Sequence, residues 1–315
     1  MLRITLIRLI SVIPVLLGIS VISFLVIRMI PGDVISSIMG QDFGDPAIEA
    51  EMRRYFGLDM PVYEQFVRWL GALLQGDLGT SMRTGQPVLE EIMQRFPSTL
   101  LLAVSALLVS ILISIPLGVL SATKRNGLLD ASTRVASLIG LSLPNFWLGI
   151  LLVYIFSVSL GWLPSQGAGE GEGFLGSLKY LILPSVTLGA SLAAISMRMT
   201  RSSMLEVLNQ DYVRTARAKG LGERGVMVRH ALRNSLIPVV TVLGIQAGAL
   251  LGGTVIVEQV FAWPGLGTMV IRGISQRDYP VVQGTLLFLA FFYVVVNLLV
   301  DLLYTYLDPR LRSGH

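Results

Sequence analysis

The sequence predicts an all-α integral membrane protein of about six transmembrane helices, with a helical insertion outside the membrane after the first and a short cytoplasmic helix between the fourth and fifth. Three observations carry that reading. The 315 residues are 53% hydrophobic and only 14% charged, with a mean hydropathy of +0.71, whereas soluble domains carry about 25% charged residues. The apolar residues fall in uninterrupted blocks near the roughly 20 residues that a helix needs to cross the hydrocarbon layer. The basic residues gather in alternate connections between those blocks, the bias that marks cytoplasmic loops.

Charge and composition also exclude. The net charge of +4 is accounted for by those loops, so no nucleic-acid partner is expected. The absence of Cys rules out disulfides and thiolate sites, and His230 and His315, the only histidines, are too far apart in sequence for a histidine metal motif. No metal and no bound cofactor are expected in this chain.

Arg3 and Arg8 precede the first block, residues 9–27, which ends in Pro31-Gly32-Asp33 instead of a small-residue cleavage pattern. It is read as a retained transmembrane helix forming an N-terminal unit, 1–30, with its N-terminus inside. Residues 31–98 are charged throughout, including Asp45, Glu49, Arg53, Glu64, Arg68, Glu90 and Glu91, and form an extracytoplasmic segment. Within it Pro61 suits a helix start, and Val62, Phe66, Trp69, Leu70 and Leu73 make one apolar stripe suited to the membrane or to neighbouring spans.

The remaining core, 99–315, holds spans at 99–122, 135–160, 181–199, 235–257 and 281–303. Pro116, Pro144, Pro184 and Pro238 lie in or beside them as kinks or tolerated prolines. Lys124, Arg125 and Arg134 occupy one inner connection; Arg198, Arg201, Arg214, Arg217, Lys219, Arg224, Arg229 and Arg233 cluster around the other; and Arg310 and Arg312 follow the last span. Both termini are therefore expected in the cytoplasm. Trp162, Tyr180 and Tyr304 suit interfaces. The run Gly167-Ala168-Gly169-Glu170-Gly171-Glu172-Gly173 is expected to be a flexible outer loop; it lacks the Lys of a phosphate-binding loop, and no such motif occurs anywhere.

Gly244, Gly248 and Gly252 make a small-residue ridge on the fifth span, for static packing or for a partner or gating contact. Gln246 and Asn297 are expected to hydrogen-bond between helices. Glu258 and Asp301 lie near span ends, suited to anchoring or pairing instead of proton relay.

The connection 200–234 reads as ordered structure. Leu205, Leu208, Tyr212 and Ala216 share one helical face, Asp211 suits the N-cap of a helix over 212–219, and Gly220 suits its left-handed end. A second helix begins near Glu223 and feeds the fifth span. The bland alternative is a basic connector held on anionic lipid; the sharper one is a docking helix, favoured by the small residues Ala216, Ala218 and Gly222.

The stretch Asp211-Tyr212-Val213-Arg214-Thr215-Ala216-Arg217-Ala218-Lys219-Gly220-Leu221-Gly222 resembles the coupling loop of ATP-binding-cassette importer permases in the dipeptide, oligopeptide and nickel subfamily, whose pattern is Glu-Ala-Ala, three residues, Gly, nine residues, Ile-x-Leu-Pro. With Gly222 on the pattern's Gly, Ala216 replaces the Glu, Leu232 stands for the Ile, Asn234 replaces the Leu and Ser235 the Pro. The similarity extends over Tyr55-Phe56-Gly57-Leu58-Asp59, Gly76-Asp77-Leu78-Gly79-Thr80-Ser81, Phe261-Ala262-Trp263-Pro264-Gly265-Leu266-Gly267, Arg277-Asp278-Tyr279-Pro280-Val281-Val282-Gln283-Gly284 and Leu307-Asp308-Pro309-Arg310. The resemblance implies a pore-forming subunit in a bacterial or archaeal cytoplasmic membrane. It would be paired with a second related permease and served by an extracytoplasmic substrate-binding protein. Two cytoplasmic ATPase subunits that use ATP and Mg would drive it, and the chain itself would not be an enzyme. Asp211, Tyr212, Arg214, Thr215, Ala216, Arg217, Ala218, Lys219, Gly220 and Gly222 are the residues implied in ATPase coupling. The cargo implied is a di- or oligopeptide, with glutathione or chelated nickel as alternatives. An ion-gradient carrier and a membrane enzyme are the competing classes, but neither mid-span carboxylates nor a convergent nucleophile and acid set is visible.

Overall fold

The computed structural model describes residues 13–25, 35, 46–55 and 57–307. Arg3, Arg8, Pro31-Gly32-Asp33, Asp45, Phe56, Asp308-Pro309-Arg310 and Arg312 lie outside the described residues, as do the side chains of Asp301 and Tyr304.

The described chain is helical: α1 (Ile13–Leu25), α2 (Pro46–Tyr55), α3 (Val62–Leu74), α4 (Val88–Thr123), α5 (Leu128–Ser142), α6 (Asn145–Leu152), α7 (Gly173–Leu208), α8 (Asp211–Ala218), α9 (Arg233–Val260), α10 (Leu266–Gln276) and α11 (Tyr279–Leu307). π-Helical turns extend α6 (Val153–Ser159) and lead into α9 (Val226–Leu232). Among the described residues there is no strand, only an isolated bridge between Thr80 and Pro87. Four helices, α4, α7, α9 with its preceding turns, and α11, are long and apolar enough to cross a membrane; the α5–α6 pair makes a fifth if it counts as one span. α1 is a shorter apolar helix whose flanks lie outside the described residues.

The span expected over 135–160 is not a straight rod. α5 and α6 meet at a bend of 107°, because Pro144 restricts its predecessor to extended backbone and Leu143 adopts φ −81°, ψ 126°. Pro184 and Pro238 lie inside unbroken helices, as does Pro116.

The chain divides into two compact units, Met1–Thr99 with Pro264–Val294 and Leu100–Trp263 with Val295–His315, so α4 and α11 contribute to both. In the first unit, the α3 stripe packs on α1: the Phe24 ring lies 5.1 Å from Phe66 and 5.6 Å from Trp69. A second apolar cluster joins Val88, Ile92, Leu266, Met269 and Val281, and the Thr99 hydroxyl accepts the Leu266 N–H at 2.8 Å.

In the second unit, α7 is the most enclosed span, with Leu181, Leu183, Leu188, Ala193, Ala194 and Met197 buried. Small residues let α4 approach it. A Cβ added at Gly118 would lie 2.6 Å from Thr200 Cβ and 2.9 Å from the Met197 carbonyl, and one at Gly189 would lie 2.8 Å from the Ala106 carbonyl. Gly118→Leu is therefore expected to cost about 1–3 kcal/mol by overpacking, read as a lower recovery of monodisperse protein after heating in detergent. Gly252→Ala, with nothing within 4 Å of its Cβ, is expected to leave that recovery unchanged.

The Gly167–Gly173 run departs from the expectation of a loose loop. The Gly167 N–H donates to the Phe261 carbonyl at 2.8 Å, Ser177 Oγ donates to the Gly169 carbonyl, and Tyr180 Oη donates to Glu172 at 2.7 Å. Gly169, at φ +71°, lies against the Tyr180 ring, leaving no room for a side chain. Gly167, Gly169 and Glu172 serve local packing, which glycine content alone does not reveal.

Candidate functional site

α7 ends at Asn209, and the extended backbone of Gln210 (φ −73°, ψ 149°) starts α8. The N-cap is thus Gln210, with no side-chain capping bond, and Asp211 lies in the first helical turn, where its carboxylate complements the helix dipole and sits 3.7 Å from Arg214. The cap expected at Asp211 is displaced by one residue because α7 and α8 are separate helices. At the other end Gly220 adopts φ +77°, the left-handed stop that its position suggests.

The inner face of α8 is apolar. Val213 and Ala216 are buried with Val226, and Val207 and Leu208 pack against them. Asp211, Tyr212, Arg214, Thr215, Arg217, Ala218, Lys219, Gly220 and Gly222 are exposed. Ala216 and Ala218, expected to seat together in a partner, face opposite ways, since positions two apart on a helix do not share a face. Ala216 packs within the chain; only Ala218 is outward. The single face expected for Leu205, Leu208, Tyr212 and Ala216 is likewise split by the break at 209–210.

Both ends of α8 are tied to the approach to α9. Asn234 Nδ2 donates to Tyr212 Oη at 2.8 Å, and Arg217 forms a two-point contact with Glu223 at 2.8 and 3.3 Å. The guanidinium lowers the Glu223 carboxyl below its ordinary value. Gly222, at φ −60° and ψ 144°, starts the turn Glu223–Gly225 that leads through the π-helical turns into α9.

Near this connection lies a polar cluster that sequence reasoning did not single out. Asp130 is wholly buried and accepts from Arg201 Nε at 2.7 Å and Nη2 at 3.0 Å, from Ser121 Oγ at 2.6 Å and from the Asn126 N–H at 3.0 Å. It joins α4, α5 and α7 and clamps the turn in which Asn126 adopts φ +61°, a conformation that Asn tolerates. The available signal was a single acid in a connection otherwise basic at Lys124, Arg125 and Arg134.

The ridge residues are not equivalent. A Cβ on Gly244 would collide with Val300 of α11, Gly248 is buried, and Gly252 faces open space. Gln246 accepts from Ser196 Oγ at 3.0 Å and donates to the Leu192 carbonyl at 3.2 Å, the interhelical role expected of it. Glu258 is buried in the last turn of α9.

In the first unit, two stretches quoted for the resemblance come together. Ser81 Oγ donates to Asp278 at 2.5 Å, and the Met82 N–H donates to the same carboxylate at 3.2 Å. A Cβ on Gly79 would meet Pro280 at 3.3 Å, and one on Gly284 would meet Val88 and Leu78. Asp278 also precedes α11 and accepts the Val281 N–H in its first turn.

Two family profiles match the sequence: "Binding-protein-dependent transport system inner membrane component" over residues 114–313 and its N-terminal counterpart over residues 1–103. The Di/tripeptide transport system permease protein DppB of Pseudomonas aeruginosa is 44% identical over 97% of this chain and 97% of its own. The Glutathione transport system permease protein GsiC of Salmonella typhimurium is 44% identical over 99% of each chain. The Oligopeptide transport system permease protein AppB of Bacillus subtilis is 44% identical over 95% of this chain and 96% of its own. Among solved structures, an inward-facing conformation of the MetNI methionine ABC transporter superposes with a TM-score of 0.58 at 19% identity, covering 69% of this chain and 96% of that one, a likeness of fold.

Proposed function

Because this chain belongs to the binding-protein-dependent transport system inner membrane components, the pore-forming permeases of ATP-binding-cassette importers, we propose that it carries di- or oligopeptides and is driven through α8. It is a multi-pass inner-membrane protein and a transport subunit, not itself an ATPase. In this reading two ATPase subunits, using ATP and Mg, bind its cytoplasmic side. A second related permease completes the pore, and an extracytoplasmic binding protein delivers cargo. Both termini and the connection 200–234 lie in the cytoplasm; residues 31–98 form the extracytoplasmic segment between the N-terminal helix, 1–30, and the permease core, 99–315. The relatives named for di/tripeptides and oligopeptides support the cargo class. The equally similar glutathione permease supports a second reading, glutathione, itself a small peptide.

The observation that carries the coupling role is the construction of α8: one face buried, the other exposed, and both ends tied to the approach to α9. A load applied to the exposed face is passed to a membrane-spanning helix instead of being lost in a loose loop. The exposed residues Asp211, Tyr212, Arg214, Thr215, Arg217, Ala218, Lys219, Gly220 and Gly222 form the contact, and Ala216 supports it from behind. Gly244 and Gly248 serve helix packing, whereas Gly252 faces open space.

Gly222→Asp tests this cleanly. The backbone there suits any L-residue, a Cβ meets nothing within 4 Å, and Asp is a favourable N-cap. Insertion and yield should match wild type, while ATP-driven uptake in the reconstituted complex falls by about tenfold or more, within the range of allosteric coupling energies. Wild-type uptake by this variant and by Ala218→Trp would remove the docking assignment.

A further inference from the structure

We propose that the second unit carries a binding site for one anionic phospholipid, its headgroup held by Arg134, Arg198 and Arg201. The site goes beyond the importer reading and is independent of the cargo. A cavity of about 620 Å³ opens between α5, α7 and α9, lined by those three arginines with Ser137 and Ser202 and by Leu138, Ile195, Met199 and Val242. Three guanidiniums border it against one carboxylate, that of Asp130. Arg201 takes both oxygens of that carboxylate, Arg134 approaches it only to 3.8 Å, and among the described residues Arg198 makes no ion pair. One carboxylate is shared by two guanidiniums and the third has none, so the group keeps a net of two positive charges.

The order of residues along the helices points to a lipid. On α5, Arg134 stands one turn nearer the basic connection at Lys124 and Arg125 than Leu138 does. On α7, Arg198 and Arg201 stand nearer the connection that follows Leu208 than Ile195 does. Leu138 and Ile195 therefore lie deeper in the span than the cations of their own helices, while Met199 stands level with Arg198 and Arg201. This is the profile of a phospholipid, with its phosphate at the interface and its acyl chain one turn deeper. Arginine suits phosphate through paired N–H donors, and basic pockets between transmembrane helices are established headgroup sites. A water-filled path for a hydrophilic cargo would not need the wall of Leu138, Ile195, Met199 and Val242.

The test uses the intact permease–ATPase complex, reconstituted in phosphatidylcholine vesicles with or without phosphatidylglycerol, extracted gently and examined by native mass spectrometry. Wild type is expected to retain phosphatidylglycerol in preference to phosphatidylcholine. Arg134→Gln/Arg198→Gln, which spares the Arg201–Asp130 pair, is expected to bind it about 30-fold more weakly. Leu138→Trp, which fills the apolar part and leaves every charge, is expected to lose the lipid as well, and both variants should remain assembled. Equal retention by wild type and either variant, or no retained phosphatidylglycerol in wild type, overturns the site. Displacement by inorganic phosphate or an acidic dipeptide, with Leu138→Trp unaffected, overturns it too, because the cavity would then hold a plain anion.

Discussion

Arg201→Ala is expected to destabilise the protein by about 3–5 kcal/mol, the cost of stranding a buried charge. The Asp130 carboxylate has no solvent exposure, and with the guanidinium gone it keeps only Ser121 Oγ and the Asn126 N–H. Arg134, one turn along α5 and 3.8 Å away, is the nearest remaining cation and sets the lower end of that range. The sign reverses when both charges leave together. Asp130→Leu/Arg201→Leu should recover most of the loss, since an apolar pair avoids the desolvation that a buried ion pair incurs. A double-mutant cycle on the folded fraction surviving a heat challenge reads the coupling directly. Additive losses in the two single variants would show that the pair does not join α5 to α7.

Asp278→Ala is the second large loss, about 4 kcal/mol in total, the lower end of the sum of its three contacts. The carboxylate does two jobs in the first unit. It receives the Val281 N–H at the start of α11, a capping contact worth about 1 kcal/mol. It also receives Ser81 Oγ and the Met82 N–H, and hydrogen bonds to a charged group are each worth about 1.5–3 kcal/mol. Ser81 Oγ in turn accepts the N–H groups of Arg83 and Thr84, so the turn 81–87 loses its organiser when Asp278 is removed. The expected readout is faster proteolytic cleavage within that turn together with a lower midpoint of heat unfolding. Asp278→Asn keeps an acceptor for the cap and should lose about half as much. An uncut turn in Asp278→Ala would place its stability elsewhere, in the contacts of Gly79 with Pro280 and of Gly284 with Val88.

The helices were legible where the deciding forces are local. The apolar blocks predict α4, α7, α9 and α11 because hydropathy sums along the chain, and Gly220 marks the end of α8 because only a residue free to adopt positive φ ends a helix easily there. Of the stripe Val62, Phe66, Trp69, Leu70 and Leu73, Phe66 and Trp69 pack on Phe24 as a face against a neighbouring helix, while Val62 is exposed. Legibility failed where two local signals compete. Pro144 sits in an apolar run like Pro116, Pro184 and Pro238, but at Leu143 the chain turns by 107°. A glycine-rich run read as loose is tied down by Phe261 and Tyr180.

By itself the sequence determined a membrane protein, the positions of its main spans, the glycine that ends a short helix between α7 and α9, and the motifs on which its family resemblance rests. Each of these depends on neighbours within a few turns of chain. Only the tertiary structure decided that Ala216 faces inward and Ala218 outward, that Asp130 belongs to Arg201, and that Ser81 belongs to Asp278. Those pairs are 71 and 197 residues apart, and a buried charge is satisfied by whatever the packed helices bring within about 3 Å, a matter of distance in space that no local pattern encodes.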